Sequence, residues 1–157
     1  MRSVLLILCC ALILAGAAAA QTAAPDRLSD ADLAAIKQPA LDYAESYYEG
    51  NADKMERALH PDLAKRMINT DPQGRSRLDH LGAMRLVQII RGGHGKSVPP
   101  EKRQKEIAVL DVYQGRIASL RVEMDSWVDY LHVARFGDRW VIINVLWQTK
   151  PQPAPKP

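Results

Sequence analysis

The most constraining feature of this chain is a run of four strand-like segments that fills residues 105–148 with only short connections between them. The segments are rich in β-branched and aromatic residues, which favour strands. Connections this short join antiparallel neighbours, so the run predicts an antiparallel sheet of consecutive hairpins. The segments are KEIAVLDVY, RIASLRVEM, WVDYLHVARF and RWVIINVLWQ.

The residues before this run have the patterns of helices. Ser29, with Asp32 three residues later, resembles a capping box, and apolar residues then recur at helical spacing. Pro39 predicts a kink or a restart within this first helix. Gly50 is suited to end it, and Asn51 to cap a second helix.

That second helix is predicted at about 52–60 and a third at about 80–91, with Asp79 as the N-cap of the third. The segment DLAKRMI between them is ambiguous. Three helices followed by consecutive strands predict an α+β fold.

The N-terminal segment MRSVLLILCCALILAGAAAAQ has the order of a secretory signal peptide: a basic residue, an apolar run and small residues before Gln21. The alternative is a membrane anchor, but the apolar run is shorter than the ~18–20 residues of a spanning helix. Cleavage after Ala20 would place the mature protein in the periplasm or outside the cell, with no membrane span. The predicted organisation is a signal peptide at 1–20, a linker at 21–31, one domain at 32–149 and a Pro-rich disordered tail at 150–157.

Composition excludes several functions for the mature chain. Cys9 and Cys10 both lie in the signal segment, so no disulfide, thiolate nucleophile or thiolate metal site is expected after cleavage. The formal net charge, +3 for the full sequence and +2 after loss of Arg2 with the signal segment, is too small to indicate nucleic-acid binding. The four histidines lack metal-ligand spacing, so no metal or other cofactor is predicted.

Two stretches resemble a known superfamily. LDYAESYYEGNADKMERALHPDL is similar to the first helices, and WVDYLHVARFGDRWVIINVLW to the closing hairpin, of the putative lumazine-binding, SnoaL-like branch of the nuclear transport factor 2-like superfamily. With the predicted helix at 80–91, the resemblance covers roughly residues 32–148. It implies three N-terminal helices on a curved antiparallel sheet, a helix-covered pocket and dimers through the sheet. It implies no reaction, because the fold carries isomerases, dehydratases, cyclases and non-catalytic modules.

The last hairpin decides which side chains face the pocket. Gly137 and Asp138 suit a two-residue turn that pairs Phe136 with Arg139. Counted from that turn without interruption, one sheet face carries Asp129, Leu131 and Asn144, and the other carries Tyr130, His132, Ile143, Val145 and Trp147. A tight turn at Asp125-Ser126 adds Ala118, Leu120 and Val122 to the first face, which makes it the better core; a longer turn or a bulge would reverse this assignment.

The first face is therefore predicted to line the pocket beneath the helices. The predicted ligand-binding residues are Tyr43, Tyr47, Met84, Asp129, Leu131 and Asn144. The opposite face is predicted to form a homodimer interface, since a contiguous apolar strip on a sheet usually marks one. The predicted interface residues are Tyr130, His132, Ile143, Val145 and Trp147.

Two functions remain open at this point. One is a non-catalytic module that binds a small apolar or aromatic molecule, or a partner protein. The other is an isomerase or dehydratase in which Asp129 or His132 acts as general base and Tyr43 or Tyr47 acts as oxyanion donor, as in the ketosteroid isomerases of the resembling fold. Against catalysis, Asp129 could instead be an ionised carboxylate satisfied by backbone or by an arginine.

Overall fold

The computed structural model describes residues 28–151, so the predicted signal peptide, most of the linker and most of the Pro-rich tail lie outside the described residues. The elements are α1 (Asp30–Glu49), α2 (Ala52–Ala58), β1 (Leu59–Thr70), β2 (Ser76–Gly82), α3 (Ala83–Arg91), a short 3-10 helix (Pro100–Lys102), β3 (Lys105–Tyr113), β4 (Ile117–Met124), β5 (Trp127–Phe136) and β6 (Arg139–Thr149). The α+β fold and the four C-terminal strands agree with the sequence prediction.

The ends of α1 follow from local side-chain chemistry. Ser29 and Asp32 form a complete capping box, and Gly50 ends the helix in the left-handed conformation with φ +64°. The side chain of Asn51 accepts from the backbone N–H of Lys54 and so caps α2, as predicted. The predicted restart at Pro39 does not occur, because α1 is one helix across that residue.

The segment between α2 and α3 corrects the prediction. Residues that were ambiguous, or assigned to the start of a third helix, form the β1–β2 hairpin, so only two helices precede the first strand. Asp79 lies within β2, and α3 begins three residues later than predicted, with Gly82 at its N-cap. The proline at position 61 and the mostly exposed side chains of β1 explain why this segment lacks a clear strand pattern.

The six strands form one open sheet in the order β2-β1-β6-β5-β4-β3. The sheet is not purely antiparallel as predicted, because β1 pairs with β6 in parallel. Shifts of register in β1, β3 and β6 interrupt the ladders, and such bulges bend strands.

One face of the sheet, called the inner face here, packs against α1 and α3 and forms the core; the other is called the outer face. Side chains from β4, β5 and β6 alternate between the two faces. The buried inner-face residues of these strands are apolar except for Asp129. The largest of them that are fully buried are Leu120, Val122, Met124, Leu131, Val133, Ile142 and Val145.

Candidate functional site

A cavity of about 310 Å³ lies between the helices and the inner face of the sheet. Tyr43 and Tyr47 of α1 contribute to its wall, because their spacing places both on the side of the helix that faces the sheet. Helix α3 contributes apolar side chains, and the ends of β5 and β6 contribute tryptophans. Among the lining residues are Tyr47, Leu86, Ile89, Trp127 and Trp147.

Four polar side chains meet at the base of this cavity and are called the polar floor. The Lys65 Nζ lies 2.6 Å from Asp129 Oδ1 and donates to the Tyr43 hydroxyl at 2.6 Å. Asp129 Oδ2 accepts from Trp127 Nε1 at 2.8 Å and from the Tyr43 hydroxyl at 3.3 Å. Asp129 is fully buried and Lys65 is 5% exposed. Each of the two charges therefore has its counter-ion and further hydrogen bonds, as buried ions require.

Burial changes the acidity of this group. It raises the pKa of the Tyr43 hydroxyl well above its usual value, and the neighbouring Asp129 carboxylate adds to the rise. It lowers the pKa of Lys65, while Asp129 opposes that shift. Tyr43 is thus held as a neutral hydroxyl that can both accept from Lys65 and donate to Asp129.

Aromatic rings form one wall of the cavity above the polar floor. Tyr47 and Trp127 meet edge to face, with ring centroids 4.7 Å apart, and Trp127 meets Trp147 in the same way at 6.3 Å. The Lys65 ammonium lies 4.5 Å from the centre of the Trp147 ring, within the range of a cation–π interaction. The Trp147 ring therefore covers one side of the lysine, and the three rings offer apolar surface to a ligand.

The glycine-rich segment 92–96 packs against the end of α1. Gly95 has φ +89°, and a Cβ atom at this position would lie 2.5 Å from both the ring and the carbonyl oxygen of Tyr47. Only glycine fits here, and the close approach brings the exposed His94 to the rim of the cavity. The segment follows a helix rather than preceding one, so it is not a phosphate-binding loop.

The structure places four of the predicted ligand-binding residues on the inner side of the sheet. Tyr43, Tyr47 and Asp129 contribute to the cavity or to its floor, and Leu131 is fully buried in the core beside them. The prediction that Asp129 points inward is thus confirmed.

The other two predicted ligand residues were misplaced. Met84 is 61% exposed on the far side of α3. Asn144 pairs with His132 and lies on the outer face, because Ile143 is an extra residue in the ladder between His132 and Val133. This bulge leaves the predicted register intact from Val133 to the turn and shifts it by one residue beyond.

The same bulge divides the predicted dimer interface. Tyr130, His132 and Ile143 are exposed or partly exposed outside the core. Val145, however, is buried in the core, and Trp147 lines the cavity, so neither can belong to an interface on the outer face. Leu146, opposite Tyr130, takes their place there and is 54% exposed.

The candidate base His132 is separated from Asp129 and Tyr47 by the sheet. It lines a shallow depression of about 260 Å³ on the outer face, together with Tyr113, Ile117, Ser119 and Ile143. The three candidate catalytic residues therefore do not converge on one site.

Lys65 is the residue at the centre of the polar floor that sequence reasoning missed. It lies within DLAKRMI, where an inward-facing lysine interrupts the apolar pattern of a strand. Recognition of β1 as a strand would have revealed it, because Leu63 and Lys65 are two positions apart and therefore lie on the same, buried side. Trp127, the tryptophan that donates to Asp129, was not among the predicted site residues either.

Two further properties concern residues 28–151 alone. No cluster of three or more His, Cys, Asp or Glu side chains in this range is arranged to hold a metal ion. None of the helices in this range combines the length and hydropathy needed to cross a bilayer.

Comparisons with known proteins agree with this architecture. The family model described as "Putative lumazine-binding" matches residues 31–148. A solved NTF-2-like protein of unknown function from Silicibacter pomeroyi DSS-3 aligns with a TM-score of 0.60 and 17% identity, over 79% of this chain and 100% of that one. No match was found among curated proteins.

Two more solved structures support the fold alone, since their sequence identity is low. An NTF2-like protein of unknown function from Shewanella baltica OS155 aligns with a TM-score of 0.58 and 13% identity, over 80% of this chain and 100% of that one. A cystatin-like fold protein from Burkholderia xenovorans LB400 aligns with a TM-score of 0.53 and 15% identity, over 80% of this chain and 96% of that one.

Proposed function

Since the chain belongs to the "Putative lumazine-binding" family of the nuclear transport factor 2-like superfamily, we propose that it is a binding module that holds a small apolar or aromatic molecule in its inner cavity. The observation that carries the proposal is an apolar cavity of about 310 Å³ above the polar floor. The side chains of that floor form hydrogen bonds with one another. Ligand cavities of this size are typically apolar with few polar groups.

The state of Asp129 favours binding over proton transfer. A general base needs a lone pair directed at the substrate. Asp129 directs one oxygen at Lys65 and the other at Trp127 and Tyr43. These three contacts occupy most of the acceptor positions of a fully buried carboxylate, which makes Asp129 a poor acceptor for a proton from a ligand.

A proton-transfer enzyme of the ketosteroid isomerase type is the second candidate. The contact between the Tyr43 hydroxyl and Asp129 favours it, because a carboxylate beside a phenol is a base beside an oxyanion donor. Incubation with enolisable ketones in D₂O, followed by NMR, tests this candidate. Hydrogen exchange that Asp129→Asn abolishes would favour the enzyme over the binding module.

We further propose that the module is exported and dimeric. The order of basic, apolar and small residues in 1–20 supports export, and N-terminal sequencing of the mature protein should begin at Gln21. The exposed apolar side chains Tyr130 and Leu146 on the outer face support a homodimer through the sheet.

Isothermal titration calorimetry with 2-naphthamide, a flat uncharged probe, tests the binding function. Ile89→Trp should abolish binding, because the larger side chain fills the cavity that Ile89 lines. Met84→Trp is the matched control: it makes a similar change on the same helix at an exposed position and should leave binding intact. Absence of binding to the unaltered protein, or equal binding by both variants, would contradict the proposal. Native mass spectrometry of protein from its own host would then identify any retained ligand.

A further inference from the structure

We propose that the Lys65–Asp129 pair makes the cavity selective for uncharged aromatic ligands and against anionic ligands of the same shape. The inference rests on the proposed binding function and specifies the ligand class. It concerns a lysine at the base of a cavity, which would ordinarily suggest a site for carboxylates or phosphates. Here the contacts of the lysine point to the opposite preference.

The polar floor has no net charge. Lys65 Nζ and Asp129 Oδ1 are 2.6 Å apart, and both side chains are almost completely removed from water. The pair is neutral whether the proton resides on the amine or on the carboxyl group. A ligand in the cavity therefore meets a dipole and not a cation.

Among residues 28–151, Lys65 is the only lysine, arginine, aspartate or glutamate that lines the cavity, so no second cation is available to an anionic ligand there. The Tyr43 hydroxyl and the Trp147 ring occupy further sides of the Lys65 ammonium. Most of the remaining wall is aliphatic or aromatic, and His94 lies at the exposed rim. An anion that enters would lose its hydration without gaining a counter-ion, which is unfavourable in an apolar site.

Recruitment of Lys65 by an anion would also be costly. The lysine would have to leave Asp129, and a fully buried carboxylate would then face a second negative charge nearby. A neutral aromatic ligand has neither penalty, and it can pack against the apolar surface that Tyr47, Trp127 and Trp147 present to the cavity.

The test compares 2-naphthamide with 2-naphthoate, which have nearly the same shape but differ by one negative charge. Calorimetry on the unaltered protein at neutral pH should show at least about tenfold tighter binding of the amide, equivalent to about 1.4 kcal/mol. Binding of naphthoate that is as tight as that of naphthamide, or tighter, would overturn the inference.

Asp129→Asn keeps the shape of the floor but removes the counter-ion of Lys65. The ratio of the two affinities should shift toward naphthoate by at least about tenfold, because the ligand carboxylate can now serve as that counter-ion. The double variant Lys65→Met/Asp129→Asn has a neutral floor again and should return to the preference for the amide. Glu45→Gln, a carboxylate-to-amide change in the surface ion pairs with Lys54 and Lys105, is the control and should not change the ratio.

The outcomes separate this inference from the proposed function. If neither probe binds, or if Ile89→Trp blocks neither, the binding function fails and the inference with it. If Ile89→Trp blocks both probes and their affinities are equal, the function stands and the inference fails. Should Asp129→Asn not fold, the unaltered protein and the double variant decide, since both are expected to prefer the amide; a double variant that prefers naphthoate would overturn the inference.

Discussion

Adjacent residues of β5 have opposite environments on the two faces of the sheet. Asp129 on the inner face is fully buried, whereas Tyr130 on the outer face is 51% exposed. The inner face carries a charged pair out of contact with water, and the outer face carries the Arg121–Glu123 pair, also at 2.6 Å but partly in solvent.

The two ion pairs show that a short distance does not by itself measure stabilisation. A partly exposed pair is worth about 0–1 kcal/mol, because water solvates either partner alone. In a buried pair, removal of one partner leaves the other as a buried charge without a counter-ion. Each charge of the inner-face pair therefore needs the other for the stability of the fold. Side chains on the outer face can be substituted at little cost in stability, or can take part in association.

Lys65→Met is expected to give the largest effect. It leaves the Asp129 carboxylate buried without its counter-ion, at a cost of about 3–5 kcal/mol of unfolding free energy. Urea denaturation measures this loss, and the double variant Lys65→Met/Asp129→Asn should recover most of it. Arg121→Met, the corresponding change on the outer face, should cost no more than about 1 kcal/mol. Similar losses for the two single variants would mean that the faces do not differ in this way.

Truncation of one leucine on each face compares the two faces without changing any charge. Leu131→Ala on the inner face should cost about 2–5 kcal/mol, because it leaves a cavity in the core. Leu146→Ala on the outer face should change stability by at most about 0.5 kcal/mol in dilute solution. Denaturant unfolding of both variants measures the difference, and a large loss in Leu146→Ala alone would reverse the assignment of faces.

Leu146→Glu tests whether the outer face associates. A charge placed beside Tyr130 should weaken a homodimer by at least about 2 kcal/mol, the size of a hot-spot effect. Sedimentation velocity should show a smaller species, with the far-UV circular dichroism unchanged. Leu146 is a cleaner position than Ile143, which is the partly buried extra residue of the bulge. Unaltered protein that is monomeric at every accessible concentration would contradict the proposed interface.

Among the changes to buried residues, Tyr43→Phe should have the smallest effect, and one that depends on pH. Loss of the hydroxyl removes its hydrogen bonds to Lys65 and Asp129, at a cost of about 1–3 kcal/mol near neutral pH. Burial raises the pKa of Tyr43, so the unfolded chain loses this proton first and wild-type stability falls as pH rises above about 10.

The variant has no such proton to lose, so the difference in unfolding free energy between wild type and Tyr43→Phe should shrink as pH rises. Urea titrations at a series of pH values from neutral to alkaline measure it. Stability curves that stay parallel over the whole range would mean that the Tyr43 hydroxyl is not protected by the fold.

The fold was predictable where local chemistry decides it. The capping box at Ser29, the left-handed end of α1 at Gly50 and the turn at Gly137 each depend on residues a few positions apart. The β1–β2 hairpin was not recognised, although its strands are close in sequence, because Pro61 and the many exposed side chains of β1 obscure the strand alternation. The parallel partner of β1, the distant strand β6, could not be read from local patterns at all.

Prediction of the candidate site had the same limit. The alternation of β5 and the tight turn before it correctly assigned Asp129 and Leu131 to the inner face. The bulge at Ile143 then moved Asn144 to the outer face and Val145 and Trp147 to the inner side. One extra residue exchanges the faces of every residue beyond it, and the apolar sequence of β6 fits either register.

The sequence by itself determined the α+β class, the four C-terminal strands and the inward direction of Asp129, because periodicity and turn chemistry act over short distances. Only the tertiary structure decided what Asp129 meets there. Lys65 lies 64 positions away along the chain and reaches the carboxylate only through the parallel pairing of β1 with β6. The same carboxylate alone would be a candidate base, but beside this lysine it becomes half of a neutral pair, since a buried charge takes its character from the counter-ion that the fold brings to it.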